Sequence, residues 1–237
     1  MKKQVVVIGL GRFGSSLARA LYNLGHDVLA MDTDEERVQG IMGQVSHPVK
    51  GDSTNEAVLR ELGIADYDAA VVAIGSDIVA SVMACVLLKT MGLPYIVARA
   101  HGELHGNTLE RIGVDKVVHA ESETGIRLGH NLFNPNLQDW LELTPNYGFS
   151  KMKVPDDFVN KTLKELGFSK SPRDKYGLAV LALKRGKEVT LNPDNDDRLQ
   201  SGDLMVLAGR DDLLEGLTSA GLPDDKRDGN GTNGGPV

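Results

Sequence analysis

The chain has 237 residues, 41% of them hydrophobic and 25% charged, with 33 acidic against 26 basic residues and a net charge of -7. This is the balance of a soluble globular protein with ample core material, in one large domain or two small ones, and it argues against nucleic acid as the main partner, which calls for a basic surface. Cys85 is the only cysteine, so no internal disulfide or cysteine-based zinc site is available; no apolar run reaches the ~20 residues of a membrane-spanning helix, the first strand is too short for a signal-peptide core, and a cytoplasmic location is expected.

The first ~120 residues alternate short apolar runs with helix-like segments, the mark of a parallel sheet flanked by helices. Val5–Ile8 is β-branched without polar alternation, as a strand buried on both faces requires. Phe13, Leu17, Leu21 and Leu24 recur at helical spacing until Gly25 ends the helix. Val28–Met31 is a second strand. Thr33 and Glu36, three apart, fit a capping box opening a second helix. His47–Lys50 is a weak third strand, and Ser53 with Glu56 repeats the capping pattern. Ala70–Ile74 is a strong fourth strand. A long apolar helix follows from Asp77 to Met91, read as core or subunit interface, with Cys85 as a small core residue. Tyr95–Arg99 and Lys116–His119 are the fifth and sixth strands, with a short helix near Thr108–Ile112 between them. A helix from Ser122 to Phe133 leads out.

The expected fold class is therefore α/β, a Rossmann-like doubly wound parallel sheet, spanning residues 1–134. After Asn134-Pro135-Asn136 the pattern changes. Strand-like stretches at Trp140–Thr144, Phe149–Val154, Ala179–Lys184 and Leu204–Ala208 surround one helix near Lys161–Leu166, and a short helix covers Asp211–Thr218. Residues 135–219 are thus expected to form a smaller α+β domain. Residues 220–237, rich in Gly, Asp, Asn and Pro, are expected to be a disordered tail.

Gly9-Leu10-Gly11-Arg12-Phe13-Gly14 follows the first strand and opens the first helix, the context that gives G-x-G-x-x-G its meaning. Gly9 permits the tight turn, Gly11 lets backbone approach a phosphate, and Gly14 lets the helix pack on the sheet. The free N–H groups and a helix end worth roughly half a positive charge favour an anion. Asp32 ends the second strand, 18 residues after Gly14. A carboxylate there accepts hydrogen bonds from ribose hydroxyls and repels a 2′-phosphate, which disfavours NADP. Arg12 lies in the loop, within reach of a bound phosphate. Gly51-Asp52-Ser53-Thr54 and Ile74-Gly75-Ser76 follow the third and fourth strands, whose carboxyl ends line the ligand crevice. Asp52 is placed for the adenine edge and Gly75 for close approach. Helix capping explains Ser53 as well as ligand contact does.

Other constellations are weaker. His101 and His105 stand at i and i+4, a spacing for a metal pair on a helix. Gly102 and Gly106 argue against a stable helix there, and no third ligand is near in sequence. Tyr147 and Lys151 spell the Y-x-x-x-K of short-chain dehydrogenases, but in a strand-like stretch beyond the nucleotide domain. Glu121 follows the sixth strand. Near bound phosphates it needs a cation between; otherwise it serves as an acid at a helix start.

Together these residues resemble the regulator-of-potassium-conductance family, also called KTN or TrkA domains. Val5 to Gly14, Gly25 to Asp32, Gly51 to Thr54, Val71 to Gly75 and Ile112 to Glu121 fall in family order, and the resemblance extends to about residue 219. It implies a cytosolic regulatory subunit of a Trk or Ktr potassium uptake system, a homo-oligomer of dimers in a ring. Such a subunit lies at the inner face of the membrane through its potassium pore partner. An adenine nucleotide, NAD/NADH or ATP/ADP, sets the ring shape. By resemblance Asp32 holds ribose, Gly9 to Gly14 hold phosphates, Arg12 reaches a terminal phosphate, and Arg99 faces the ligand. Glu121 matches a position that binds a cation, divalent or monovalent, at the dimer interface. The second domain of some relatives binds cyclic di-AMP, and Arg173–Gly177 is similar to the segment used there, although Pro172 and Asp174 depart from it. The expectation is a gating subunit rather than an enzyme. An NAD-dependent oxidoreductase shares the loop and the acid, but residues 135–219 supply no convincing general acid or base.

Overall fold

The computed structural model describes residues 1–132, 136–168 and 178–217. The expected break at Asn134-Pro135, the Arg173–Gly177 segment, the end of the Asp211–Thr218 helix and the tail lie outside them. The chain divides into two compact units between Glu123 and Thr124.

The first unit is built on a six-stranded sheet. Its strands are β1 (Gln4–Ile8), β2 (Asp27–Asp32), β3 (His47–Lys50), β4 (Ala69–Val72), β5 (Ile96–Arg99) and β6 (Lys116–Val118). They are ordered β3-β2-β1-β4-β5-β6 and every pairing is parallel. This is the expected doubly wound fold, with the strand order reversing beside β1. Central β1 has both neighbours and is buried on both faces. Val6 and Ile8 join one apolar cluster while Val7 joins the other, which explains the unbroken β-branched run. The polar, half-exposed β3 is an edge strand, which explains its weak signal.

The crossovers are α1 (Arg12–Asn23), α2 (Glu35–Gln39), α3 (Glu56–Glu61), α4 (Ile78–Thr90) and α5 (Glu103–Ile112), and α6 (Ala120–Asn131) leads out. Two capping expectations are corrected. Asp34, not Thr33, caps α2 by accepting from the Glu36 N–H, and Asn55, not Ser53, caps α3 by accepting from the Ala57 N–H. Asx side chains reach the N–H two residues on, which moves each cap later than the box pattern suggests. The expectation that Gly102 and Gly106 prevent a helix is also corrected. Gly102 is the N-cap of α5, and Gly106 lies where the His119 ring leaves no room for a side chain. Cys85 is buried, and burial pushes its thiol up to about 12, so it is core.

The second unit holds an antiparallel sheet ordered β10-β9-β11-β8-β7, from β7 (Leu137–Thr144), β8 (Tyr147–Lys153), β9 (Leu178–Arg185), β10 (Glu188–Leu191) and β11 (Leu204–Arg210). Helix α7 (Asp211–Gly216) follows, and its Asp211 accepts a hydrogen bond from Trp140 Nε1 at 3.1 Å. Tyr147 and Lys151 lie in β8, in a different unit from the glycine loop. The helix expected at Lys161–Leu166 is a turn. Thr162 and Glu165 do form a reciprocal capping box, but Gly167 at φ 83° ends the turn at once. The strand β10 was not expected. It returns from β9 through Gly186-Lys187, with Glu188 opposite Arg185.

Asp203 is buried beside β11. Its carboxylate accepts from Arg185 Nε at 3.0 Å, Arg185 Nη2 at 2.7 Å and the Gln200 N–H at 2.9 Å. The Arg185 hydrogen bond holds the carboxyl below the usual range. A group with a depressed folded pKa contributes stability present above the ordinary carboxylate range and lost as pH falls through the folded value. Asp203→Asn is therefore expected to destabilise the second unit by ~1–3 kcal/mol at neutral pH and to flatten its acid unfolding, read by urea melts across pH. In the first unit a Cβ on Gly14 would lie 1.8 Å from the Gly9 carbonyl oxygen. Gly14→Ala is expected to cost about 2 kcal/mol or more in thermal denaturation, because rigid backbone on both sides must shift.

Candidate functional site

A crevice of about 1310 Å³ opens at the carboxyl ends of the parallel strands, where the strand order reverses. The loop after β1 forms its floor. Gly9, at φ 92°, turns the chain so tightly that a Cβ would meet Ala73 and Ile74 backbone at 3.1 Å. A Cβ on Gly11 would meet nothing within 4 Å, so the loop backbone is open to the crevice there. Helix α1 starts at Arg12 with its first turn free of acidic residues, which leaves the positive end unopposed.

Asp32 is 7% exposed. Its Oδ2 accepts from the Leu10 N–H at 2.6 Å and its Oδ1 from the Asp34 N–H at 2.9 Å. The carboxylate therefore joins the end of β2 to the glycine loop. Arg37 of α2 also approaches it, with Nη1 3.4 Å from Oδ2. Asp52 Oδ1 accepts from both the N–H and the hydroxyl of Thr54, at 2.9 and 2.7 Å. The Thr54 hydroxyl bond holds the Asp52 carboxyl below its usual range. Ser53 is buried and lines the crevice.

At the far end Arg99, from the end of β5, pairs with Glu121 at the start of α6. The Arg99 hydrogen bond lowers the Glu121 carboxyl pKa. The Arg99 guanidinium lies 5.9 Å from the Phe13 ring centroid, within cation–π range. It also fills the space over Gly75, where a Cβ would meet Nη1. Arg99 Nε is buried without a hydrogen-bond partner among the described residues. His101 lines the same end, and its N–H donates to His105 Nδ1 at 3.1 Å. His105 is thus a buried helix residue, and among the described residues no group of three or more potential ligands is placed for a metal.

Gly9, Leu10, Gly11, Arg12, Asp32, Asp52, Ser53, Thr54, Ile74, Gly75, Arg99 and Glu121 all line this crevice. Phe13 and Gly14 do not; Phe13 backs Arg99 and Gly14 seats the helix. Ser76 lines it too, as its place after the fourth strand implies, and Thr33, Asp34, Arg37 and Asp77 line it without having been expected there. For Thr33 and Asp34 the signal was position, directly after the carboxyl end of β2.

Comparison with known proteins agrees with this architecture. The TrkA-N domain model matches residues 5–120 and the TrkA-C domain model residues 151–219. The Ktr system potassium uptake protein C of Bacillus subtilis is 38% identical over 88% of this chain and 93% of its own. The Ktr system potassium uptake protein A of the same organism is 32% identical over 93% of this chain and 97% of its own. Among solved structures, a GsuK channel bound to NAD superposes with a TM-score of 0.64 at 18% identity, over 95% of this chain and 41% of that one. The GsuK RCK domain does so with 0.63 at 21%, over 94% and 49%. The chain spans less than half of each of those channel chains, and at these identities the likeness is one of fold. With both domain models in order and close relatives matched almost end to end, the chain belongs to the TrkA-type family of Ktr potassium uptake proteins.

Proposed function

We propose that the chain is a nucleotide-binding regulatory subunit of a membrane potassium uptake system and not an enzyme. The observation that carries this reading is the crevice itself. It joins an open glycine loop at a helix N-terminus to a buried carboxylate on the next strand, with arginines along its length. That is a seat for an adenine nucleotide: ribose at Asp32, adenine toward Asp52, Ser53 and Thr54, and phosphates on the loop from Gly9 to Gly14. Arg12 and Arg99 meet the terminal groups, with Ile74 and Gly75 beneath them. ATP/ADP and NAD/NADH both present the adenosine and phosphates this seat takes.

No described helix is long and apolar enough to cross a membrane, so in this reading the ion path belongs to a pore subunit of the Trk or Ktr type. The chain docks to it from the cytoplasmic side. Assembly into dimers and a ring is supported by bare apolar side chains on two helices: Ile78, Val79, Met83 and Val86 on α4, and Ile126 and Leu128 on α6. A ligand moves such an assembly only by its differential affinity for two arrangements. Arg12 supplies that difference if it meets a terminal phosphate in one arrangement alone. Glu121 supplies a single carboxylate, so a cation there draws its other ligands from phosphate oxygens and a second copy. For the second unit, the similarity of Arg173–Gly177 to the segment that takes cyclic di-AMP in some relatives supports a cyclic dinucleotide as a second ligand, at residues outside those described. The competing reading, an NAD-dependent oxidoreductase, is favoured by any turnover of a hydride donor.

Competition titration with ATP, ADP, NAD and NADH identifies the nucleotide. Asp32→Ala is expected to weaken all adenosine nucleotides together by ~1–3 kcal/mol; unchanged affinity by calorimetry removes the ribose assignment. Potassium flux through the co-purified pore in liposomes is expected to respond oppositely to ATP and ADP, or to NADH and NAD. Arg12→Ala erases that contrast while both ligands still bind. A protein that neither binds a pore subunit nor alters flux with any nucleotide is not this regulator. In Arg99→Gln the Glu121 carboxylate is expected to titrate at higher pH than in the parent, because the guanidinium that lowers it is gone. Carboxylate carbon NMR reads the shift.

A further inference from the structure

Glycine-loop crevices conventionally use an acid at the end of the second strand to select a ribose 2′-hydroxyl, or an arginine nearby to accept a 2′-phosphate. Here both are present, and they touch. Arg37 Nη1 lies 3.4 Å from Asp32 Oδ2 and Arg37 Nε lies 3.4 Å from Asp34 Oδ2. Asp32 is buried, whereas the Arg37 side chain is 51% exposed and lines the crevice. Lys50, opposite Asp32 on β3, is paired with Glu35 at 3.2 Å.

These contacts constrain the ribose edge. A carboxylate oxygen accepts about two hydrogen bonds. Oδ2 already takes the short bond from the Leu10 N–H, at 2.6 Å, and the long one from Arg37. At 3.4 Å the second bond lies beyond the optimal N–H···O range and is easily redirected. A group entering beside Oδ2 therefore meets the guanidinium. A hydroxyl displaces it and donates to Asp32. A phosphate competes with Asp32 for it, and the planar fork of arginine suits phosphate bidentately.

We propose that Arg37 is a specificity-determining residue for the nucleotide crevice, setting the balance between ribose 2′-hydroxyl and 2′-phosphate through its pairing with Asp32. The inference rests on the nucleotide reading above and adds to it. A lone aspartate excludes a 2′-phosphate by charge. The Asp32–Arg37 pair makes that exclusion partial, opposed by the guanidinium and reinforced by Asp34, and it passes to the opposite preference when the Asp32 charge is removed. The sequence-based expectation that Asp32 alone disfavours a 2′-phosphate thus omits half of the device.

The test is calorimetry on the full chain with AMP and adenosine 2′,5′-bisphosphate, for wild type, Arg37→Gln, Asp32→Asn and the double variant. Arg37→Gln is expected to weaken the bisphosphate at least about tenfold more than it weakens AMP. Asp32→Asn is expected to raise the bisphosphate relative to AMP by about tenfold, a gain lost in the double variant. Both effects shrink with added salt, because the half-exposed Arg37 guanidinium meets the ligand phosphate in contact with solvent. Arg37→Lys, which keeps charge but not the fork, is expected to fall between. Should wild type bind the bisphosphate too weakly to measure, the Asp32→Asn arm decides. A gain that persists in the double variant, or an Arg37→Gln effect equal on both ligands, overturns the assignment of Arg37 while leaving the nucleotide reading in place. Should AMP not bind, NAD against NADP serves as the pair; failure of ATP, ADP, NAD and NADH alike to bind wild type removes the nucleotide reading, and this inference with it.

Discussion

The 2.6 Å hydrogen bond from the Leu10 N–H to Asp32 Oδ2 fixes the geometry on which the crevice depends. Each strand end alone would leave a flexible loop over open space. The bond ties the loop after β1 to the end of β2, and the Gly9 N–H donates to the Met31 carbonyl at 2.8 Å beside it. On the other flank the Ala73 N–H donates to the Ile8 carbonyl at 2.7 Å. The loop is thus held from both neighbouring strands while the backbone at Gly11 stays open. A buried carboxylate is costly unless its lone pairs are satisfied, and Asp32 satisfies its own with the Leu10 N–H of the loop, the Asp34 N–H and the Arg37 guanidinium. Its removal is expected to disturb the phosphate seat as well as the ribose contact, which is why Asp32→Asn is the cleaner probe of charge and Asp32→Ala the cleaner probe of the whole device.

Charge is distributed along the crevice in a way the net value of -7 conceals. Three arginines line it: Arg37 at one end, Arg12 on the loop, Arg99 at the other end. Two are already engaged with carboxylates, Arg37 with Asp32 and Arg99 with Glu121. A polyphosphate entering the crevice meets cations that must exchange partners to receive it. At Arg37, half-exposed, exchange of a carboxylate for a phosphate is nearly balanced in energy, so small differences in the ligand decide which partner holds its guanidinium. A site that answers to the identity of a nucleotide, and not only to its presence, needs near-balance of this kind.

The doubly wound sheet was legible in the sequence because its strands, β3 apart, are apolar runs alternating with helix-like segments, and the glycine loop because its spacing sits between strand and helix. Cap positions were not, since Ser53 and Asn55, or Thr33 and Asp34, are all competent caps and only the backbone path chooses. The expected helix at Lys161–Leu166 carried a true capping box, overruled by Gly167 one turn later. β10 is short, exposed along its length, and recognisable only through the Gly186-Lys187 turn beside it. The Arg99–Glu121 pair joins residues 22 apart on different elements, which no local pattern announces. Arg37 was hidden because α2 has only five residues and no periodicity to place its faces.

Helix α4 links the crevice to the surface. Its N-cap Asp77 and first-turn Ala80 line the crevice. Ser81, Ala84, Cys85 and Leu88 pack into the core, while Ile78 and Val79 in the same first turn, and Met83 and Val86 beyond it, are bare. A helix apolar on all sides belongs inside a larger structure. Because its inner face is locked into close packing, α4 moves as a rigid body or not at all. A ligand that shifts Asp77 and Ala80 therefore displaces the bare face by a comparable amount, without an intervening hinge. In the proposed regulator this places the nucleotide seat and the assembly surface on one rigid element, side by side in its first turn, so that the energy of choosing between two ligands is expressed directly as a choice between two packings of neighbouring subunits.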